Sequence, residues 1–156
     1  MDKLDRKLLR LMQPDASLSV AELAEALGMS KSACWRRIQK LEESGVIRQR
    51  VTLLSPAKLG LGLTVFISIR TNQHNQAWAD KFREVVQSIE GIQEVYRLGG
   101  QIDYLIKAVV TDMAGYDLLY QSLIEADLFD VTASFVMEEI KSTTVLPIGP
   151  GQTLTS

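Results

Sequence analysis

Residues 19–45 read SVAELAEALGMSKSACWRRIQKLEESG, and this stretch decides the fold of the first third of the chain. Ser19 and Glu22 have the S-x-x-E spacing of a capping box, in which side chain and backbone satisfy each other at a helix start. Leu18 and Leu23 stand at the staple positions on either side. Leu23, Ala24 and Leu27 continue an apolar stripe, and Gly28 ends the helix because glycine tolerates the left-handed cap conformation. Only Gly28, Met29 and Ser30 intervene before the next helix, with Ser30 as its N-cap. Cys34, Ile38 and Leu41 recur at i, i+4 and i+7 as its buried face, and the helix runs to about Ser44 before Gly45. Two helices joined by a three-residue turn containing glycine form a helix-turn-helix.

The outer face of the later helix points to nucleic acid. At about 100° per residue, the apolar stripe leaves Ser32, Arg36, Gln39 and Lys40 facing outward, with Lys31, Trp35 and Arg37 on the flanks. Guanidinium and ammonium groups suit phosphates; arginine also pairs with guanine edges and glutamine with adenine edges. A basic helix face is by itself often only solvated, but the preceding caps and turn match a recognition helix. Cys34, on the apolar stripe, reads as core and not as a redox switch. Trp35 either lies along the DNA backbone or covers a helix flank, and both readings stay open.

Outward from this stretch, Leu4, Leu8, Leu11 and Met12 fall on one helix face, with Asp2 as cap and Pro14 as stop. After Gly45, residues 46–54 (VIRQRVTLL) are β-prone and read as a short wing strand that brings Arg48 and Arg50 towards flanking phosphates. The expected contact set on DNA is Ser30, Lys31, Ser32, Trp35, Arg36, Arg37, Gln39, Lys40 and Arg48. Charge follows the same division. Residues 1–54 hold 10 Lys/Arg against 7 Asp/Glu, whereas residues 55–156 hold 7 against 12. A locally basic head on a chain of net charge −2 fits a nucleic-acid module joined to something else.

Residues 55–62 (SPAKLGLG) read as a linker. Beyond it, residues 63–70 (LTVFISIR) are strand-like, and Trp78, Phe82, Val85, Val86 and Ile89 have helical spacing. Residues 92–98 form a weaker strand, Gly99 to Ile102 a turn, and residues 104–110 (YLIKAVV) a strong strand. Tyr116, Leu119, Tyr120 and Leu123 mark a second helix, and residues 131–140 a last strand. The order β-α-β-β-α-β is the ferredoxin-like split pattern, so the expected fold class is α+β. Two helices cover one sheet face; the other face, read as apolar, predicts a dimer through the sheets. The expected boundaries are 1–54 for the winged head, 63–149 for the second domain and 150–156 for a tail.

Candidate chemistry in the second domain is sparse. Asp103 stands at the mouth of a hairpin beside Gly100, where a carboxylate can take an ammonium and exposed backbone N–H groups a carboxylate. Plain turn chemistry is the competing reading. His74 lies in a polar loop, and Glu138 and Glu139 point to opposite sides of a strand. The composition, 46% hydrophobic and 23% charged, excludes a mostly disordered chain. One cysteine and one histidine make an internal disulfide impossible and leave no His/Cys metal cage within one chain. No cofactor or metal is expected. Apolar runs are far shorter than the roughly 18 residues of a membrane span, and the charged N-terminus does not read as a secretory signal. A cytoplasmic setting is expected.

Taken in order, these segments resemble the Lrp/AsnC, or feast/famine, transcription regulators. The resemblance rests on LDRKLLRLMQPDASLSVAELAEALGMS (4–30), ACWRRIQKLEESGVIRQ (33–49), LLSPAKLGLG (53–62), the G-x-x-D-Y turn from Gly100 to Tyr104 and SFVMEEIKSTTVLPI (134–148). It implies a winged helix-turn-helix head, a ferredoxin-like effector domain, and dimers that assemble further, commonly to octamers. It implies a small effector, usually an amino acid, held between dimers. Carried onto this chain, the effector positions are Leu98, Gly100, Asp103 and Tyr104, with Thr132 and Ser134 from a neighbour's last strand. Cys34-Trp35 departs from the common pattern, which bears on the DNA sequence read and not on the fold. The implied partners are double-stranded DNA, the effector and further copies of the chain, with no membrane. Two alternatives stand beside this reading: an architectural DNA-wrapping protein without an effector, and an enzyme like the haem-pathway decarboxylases similar to this family. The latter rely on second-domain histidines, and this chain has only His74.

Overall fold

The structure, a computed structural model, describes residues 1–149; the tail expected at 150–156 lies outside the described residues. The chain divides into two compact units. Among the described residues, one comprises 1–53 together with 141–149, and the other 54–140.

In the first unit, α1 (Lys3–Met12), α2 (Val20–Leu27) and α3 (Lys31–Glu43) form the expected three-helix head. The caps behave as the spacing requires. Ser19 Oγ accepts from Glu22 N–H while the Glu22 carboxylate accepts from Ser19 N–H. Gly28 is left-handed at φ 64°, and Ser30 Oγ accepts from Ala33 N–H. Leu8, Leu23, Cys34, Ile38 and Leu41 meet in one apolar cluster, so the stripes of all three helices face inward. Burying each such aliphatic side chain stabilises by roughly 1.5–3 kcal/mol.

One expectation fails here. Residues 46–54 form no strand among the described residues. β-propensity needs a partner ladder, and no other described segment pairs with this one. The chain instead closes α3 with an Ile47 N–H bond to Leu41 O at 3.0 Å, and Arg50 turns back to Glu42 at 2.8 Å. By its contacts the stretch after Ile140 groups with the first unit. The Gln13 side-chain amide matches a peptide unit there: its Nε2 donates to Leu146 O and its Oε1 accepts from Leu146 N–H at 2.7 Å. Arg10 donates to Ile148 O, and Ile148 joins the apolar cluster of the head.

In the second unit a single 3₁₀ turn (Ala57–Leu59) precedes β1 (Leu63–Arg70), α4 (Gln76–Ser88), β2 (Ile92–Arg97), β3 (Tyr104–Val110), α5 (Met113–Leu123) and β4 (Asp130–Phe135). The antiparallel sheet has order β2-β3-β1-β4, the ferredoxin-like arrangement expected. Val65, Ile67, Ile69, Ile106 and Ala108 are fully buried on one face with Trp78, Phe82, Leu119 and Leu123 of the two helices. By the two-residue period, Thr64, Phe66, Ser68, Leu105, Lys107 and Val109 stand on the other face. That face is therefore mixed and not uniformly apolar. The last strand, expected to reach Ile140, stops at Phe135, with one further bond from Val136 N–H to Thr64 O. β1 begins at Leu63, so residues beyond have no ladder to join.

Candidate DNA-reading face and effector turn

The α3 surface carries the expected basic face. Lys31, Ser32, Arg36, Gln39 and Lys40 are exposed, and Trp35 is 53% exposed. Ser30 is occupied as the N-cap, and its hydroxyl also lies 3.2 Å from that of Ser32. Arg36 Nε reaches back towards Ser32 O at 3.4 Å, which lays its guanidinium along the outer face. Arg48 is exposed just past the helix, on irregular chain and not on a wing strand. Arg37 is placed differently from the other basic residues. Its Nη1 donates to Asp2 at 2.6 Å and to Asp5 at 2.7 Å. It faces the start of α1 and does not extend freely from the flank.

This arrangement was partly legible. Asp2 and Asp5 form a reciprocal capping box on α1, and their D-x-x-D spacing signals it. That Arg37 meets them, 32 and 35 residues away in sequence, required the fold. Hydrogen bonding by the Asp5 N–H, then by Arg37, holds the Asp2 carboxyl below the usual carboxylate range. The same two carboxylates push Arg37 further up. Burial raises the Cys34 thiol, as expected for a core residue.

In the second unit, Asp103 is pinned at three points. Its N–H donates to Ile69 O at 2.9 Å, its carbonyl accepts from Leu98 N–H at 2.8 Å, and its Oδ2 accepts from Thr71 N–H at 2.8 Å. The half-buried carboxylate is thus aimed by the end of β1, leaving Oδ1 available to a cationic group. Thr71 had no signal in sequence, because only its backbone takes part. Gly100 has φ 146°, a conformation that side-chain-bearing residues rarely adopt, and Leu98 is exposed beside it. Tyr104 departs from the expected group. It lies on the helix-covered parity of β3, and its ring packs 4.6 Å from Phe82 and 5.7 Å from Trp78. Thr132 and Ser134 are exposed on β4, opposite Ser68 and Phe66. β1 lies between β4 and β3, so two strand spacings of about 4.8 Å separate them from the strand that follows Asp103. One chain does not bring Thr132 and Ser134 into the turn.

Comparison with known proteins agrees with both halves of this description. Residues 1–42 match the AsnC-type helix-turn-helix domain, and residues 64–146 match the Lrp/AsnC ligand binding domain. The chain is 50% identical over 149 residues to a glutamate uptake regulatory protein of Zymomonas mobilis, covering 95% of this chain and 91% of that protein. An AsnC family transcriptional regulator from Agrobacterium tumefaciens superposes with a TM-score of 0.89 at 51% identity, over 94% of this chain and 97% of that one. A transcriptional regulator from Neisseria meningitidis, solved as its L-methionine complex, superposes with a TM-score of 0.88 at 34% identity, over 94% and 96%. The family so matched is one of DNA-binding transcriptional regulators and not of enzymes. With both domain models matched in order along it, the chain belongs to the Lrp/AsnC family of DNA-binding transcriptional regulators.

Proposed function

We propose that this regulator senses an amino acid at the turn from Leu98 to Asp103 and reads DNA with the outer face of α3. The observation that carries the sensing half is the pinned carboxylate of Asp103: one oxygen is anchored by Thr71 and the other is free to accept an ammonium. Exposed backbone around Gly100 suits the effector's carboxylate. A neighbour's Thr132 and Ser134 complete the site from outside the chain. Support comes from the L-methionine complex of a similar regulator and from a relative named for glutamate uptake. Lys31, Arg36 and Lys40 of α3, with Arg48 just past it, contact phosphates, while Ser32, Arg36 and Gln39 read base edges.

A dimer through the open sheet face, with Phe66, Leu105 and Val109 at its centre, fits this reading, and further assembly to an octamer places effector sites between dimers. Effector binding then shifts the balance between assemblies that differ in affinity for DNA. Among the described residues no helix is long and apolar enough to cross a membrane, in keeping with a cytoplasmic regulator. A head over residues 1–54, a linker over 55–62 and a sensing domain from residue 63 describe this division of labour. No specific observation favours the architectural alternative.

A thermal-shift screen of the full chain against the twenty amino acids tests the sensing half. An effector at 100 times its dissociation constant should add about 2.7 kcal/mol of stability. Asp103→Ala should abolish that shift while DNA affinity stays near parental. A shift that survives the substitution removes Asp103 from the site, and no shift at millimolar ligand removes the amino-acid reading.

A further inference from the structure

We propose that Arg37 is a positioning residue, which locks the first turn of α1 to the recognition helix and cancels the charge of Asp2 and Asp5, and that it is not a phosphate contact. The inference rests on the DNA-reading role of α3. It follows from the hydrogen-bond positions around the two carboxylates. Asp2 Oδ1 accepts from the N–H groups of Leu4 and Asp5, and Asp5 Oδ2 accepts from Asp2 N–H. The reciprocal cap therefore leaves one oxygen on each carboxylate. Arg37 Nη1 donates to both of these, at 2.6 and 2.7 Å.

Without Arg37, the two carboxylates would lose the guanidinium that bonds both across one helical turn. Asp5 is the more sheltered of the pair, with its side chain 16% exposed against 54% for Asp2. They also lie beside the DNA-reading face: Asp2, Asp5, Arg36, Arg37 and Lys40 line a single shallow depression. Bare carboxylates there would repel the phosphates that Arg36 and Lys40 are placed to attract. Arg37 thus supports DNA binding from inside the head, by holding α1 in place and removing that repulsion.

The test uses the full chain and a random-sequence duplex of 30 base pairs as the probe. Binding is measured against salt concentration for the parent, Arg37→Gln, and the triple variant Asp2→Asn/Asp5→Asn/Arg37→Gln. A phosphate contact contributes about 0.9 to the slope of log affinity against log salt. The lock predicts an unchanged slope in Arg37→Gln, with a loss of affinity of roughly two- to fivefold from uncompensated carboxylates. The triple variant should regain that affinity, since asparagine keeps the caps and removes the charges. It also keeps the test open if Arg37→Gln folds poorly. Melting supplies a second readout. The Asp2 carboxyl is held low in the folded state, so the lock is present above the usual carboxylate range and lost as protons reach it. The gap in melting temperature between parent and Arg37→Gln should therefore shrink as pH falls from 7 towards 3. A slope lowered by about 0.9 with no recovery in the triple variant, or a melting gap that ignores pH, overturns the proposal. A parent that binds no duplex at any salt concentration defeats the DNA-reading role, and the melting series then decides the lock on its own.

Discussion

On α3, Ser32, Gln39 and Lys40 share an outward face with Arg36 because one helix spaces them three or four residues from it, with Lys31 exposed on the flank. At the effector turn, Asp103 is held by Ile69 and Thr71 at the far end of β1 and by Leu98 at the end of β2. The first site is local: a single helix period arranges it, and its neighbours only support the helix. The second is assembled across strands and, on our reading, finished by another copy of the chain. A local site should tolerate single substitutions with loss of function alone. An assembled site should couple function to stability, because moving one strand end moves the carboxylate.

The largest effect should come from the sheet that holds the turn. Ile67 on β1 is fully buried, and Ile67→Ala should cost about 2–5 kcal/mol in denaturant unfolding. Phe66→Ala, one residue away on the open face, should instead make the melting temperature depend on protein concentration by weakening the dimer. A melting temperature that is equally insensitive to concentration in parent and variant would remove that face from the interface. Next is Arg36→Ala, expected to weaken specific DNA binding by about 1–3 kcal/mol with unfolding unchanged. An equal loss on random DNA would reduce Arg36 to a phosphate contact.

Gly100→Ala sharpens the contrast. An alanine forced to φ 146° should cost about 1–3 kcal/mol, and the effector-induced thermal shift should fall with it. Stability lost with the shift retained would mean that the turn is only a turn. The smallest effect is expected at the α2 cap. Ser19→Ala should cost about 1 kcal/mol. The Ser19 hydroxyl, then its N–H, hold the Glu22 carboxyl below its usual range. That contribution is present above the carboxylate range and lost as pH falls through the lowered value. Thermal melts between pH 7 and 3 should therefore fall less steeply in Ser19→Ala than in the parent. Parallel curves would place the acid sensitivity elsewhere.

The helices, the caps of the head and the succession of strands and helices along the chain are legible, because each element follows from spacing within ten or so residues. The capping box at Ser19, the left-handed Gly28 and the buried stripe of α3 are of this kind. The misreadings fall where a segment's state depends on what lies beside it. Residues 46–54 have strand composition and no ladder, and β4 ends where β1 runs out. No local spacing signals that Gln13 bonds the peptide unit at Leu146, more than 130 residues away in sequence. The resemblance implies Tyr104 as an effector position beside Asp103; Tyr104 opens β3 and its ring packs on Phe82, a contact that no local spacing signals.

The sequence by itself determined that this chain carries a helix-turn-helix with a basic outer face, joined to a split βαβ domain with a glycine-aspartate turn. Periodicity and caps encode such features locally. Only the tertiary structure decided that Arg37 faces Asp2 and Asp5, that Thr71 aims Asp103, and that Thr132 and Ser134 stand a strand away from the turn. Those are pairings between distant residues, and a hydrogen bond or ion pair exists only once packing has brought its two ends within about 3 Å.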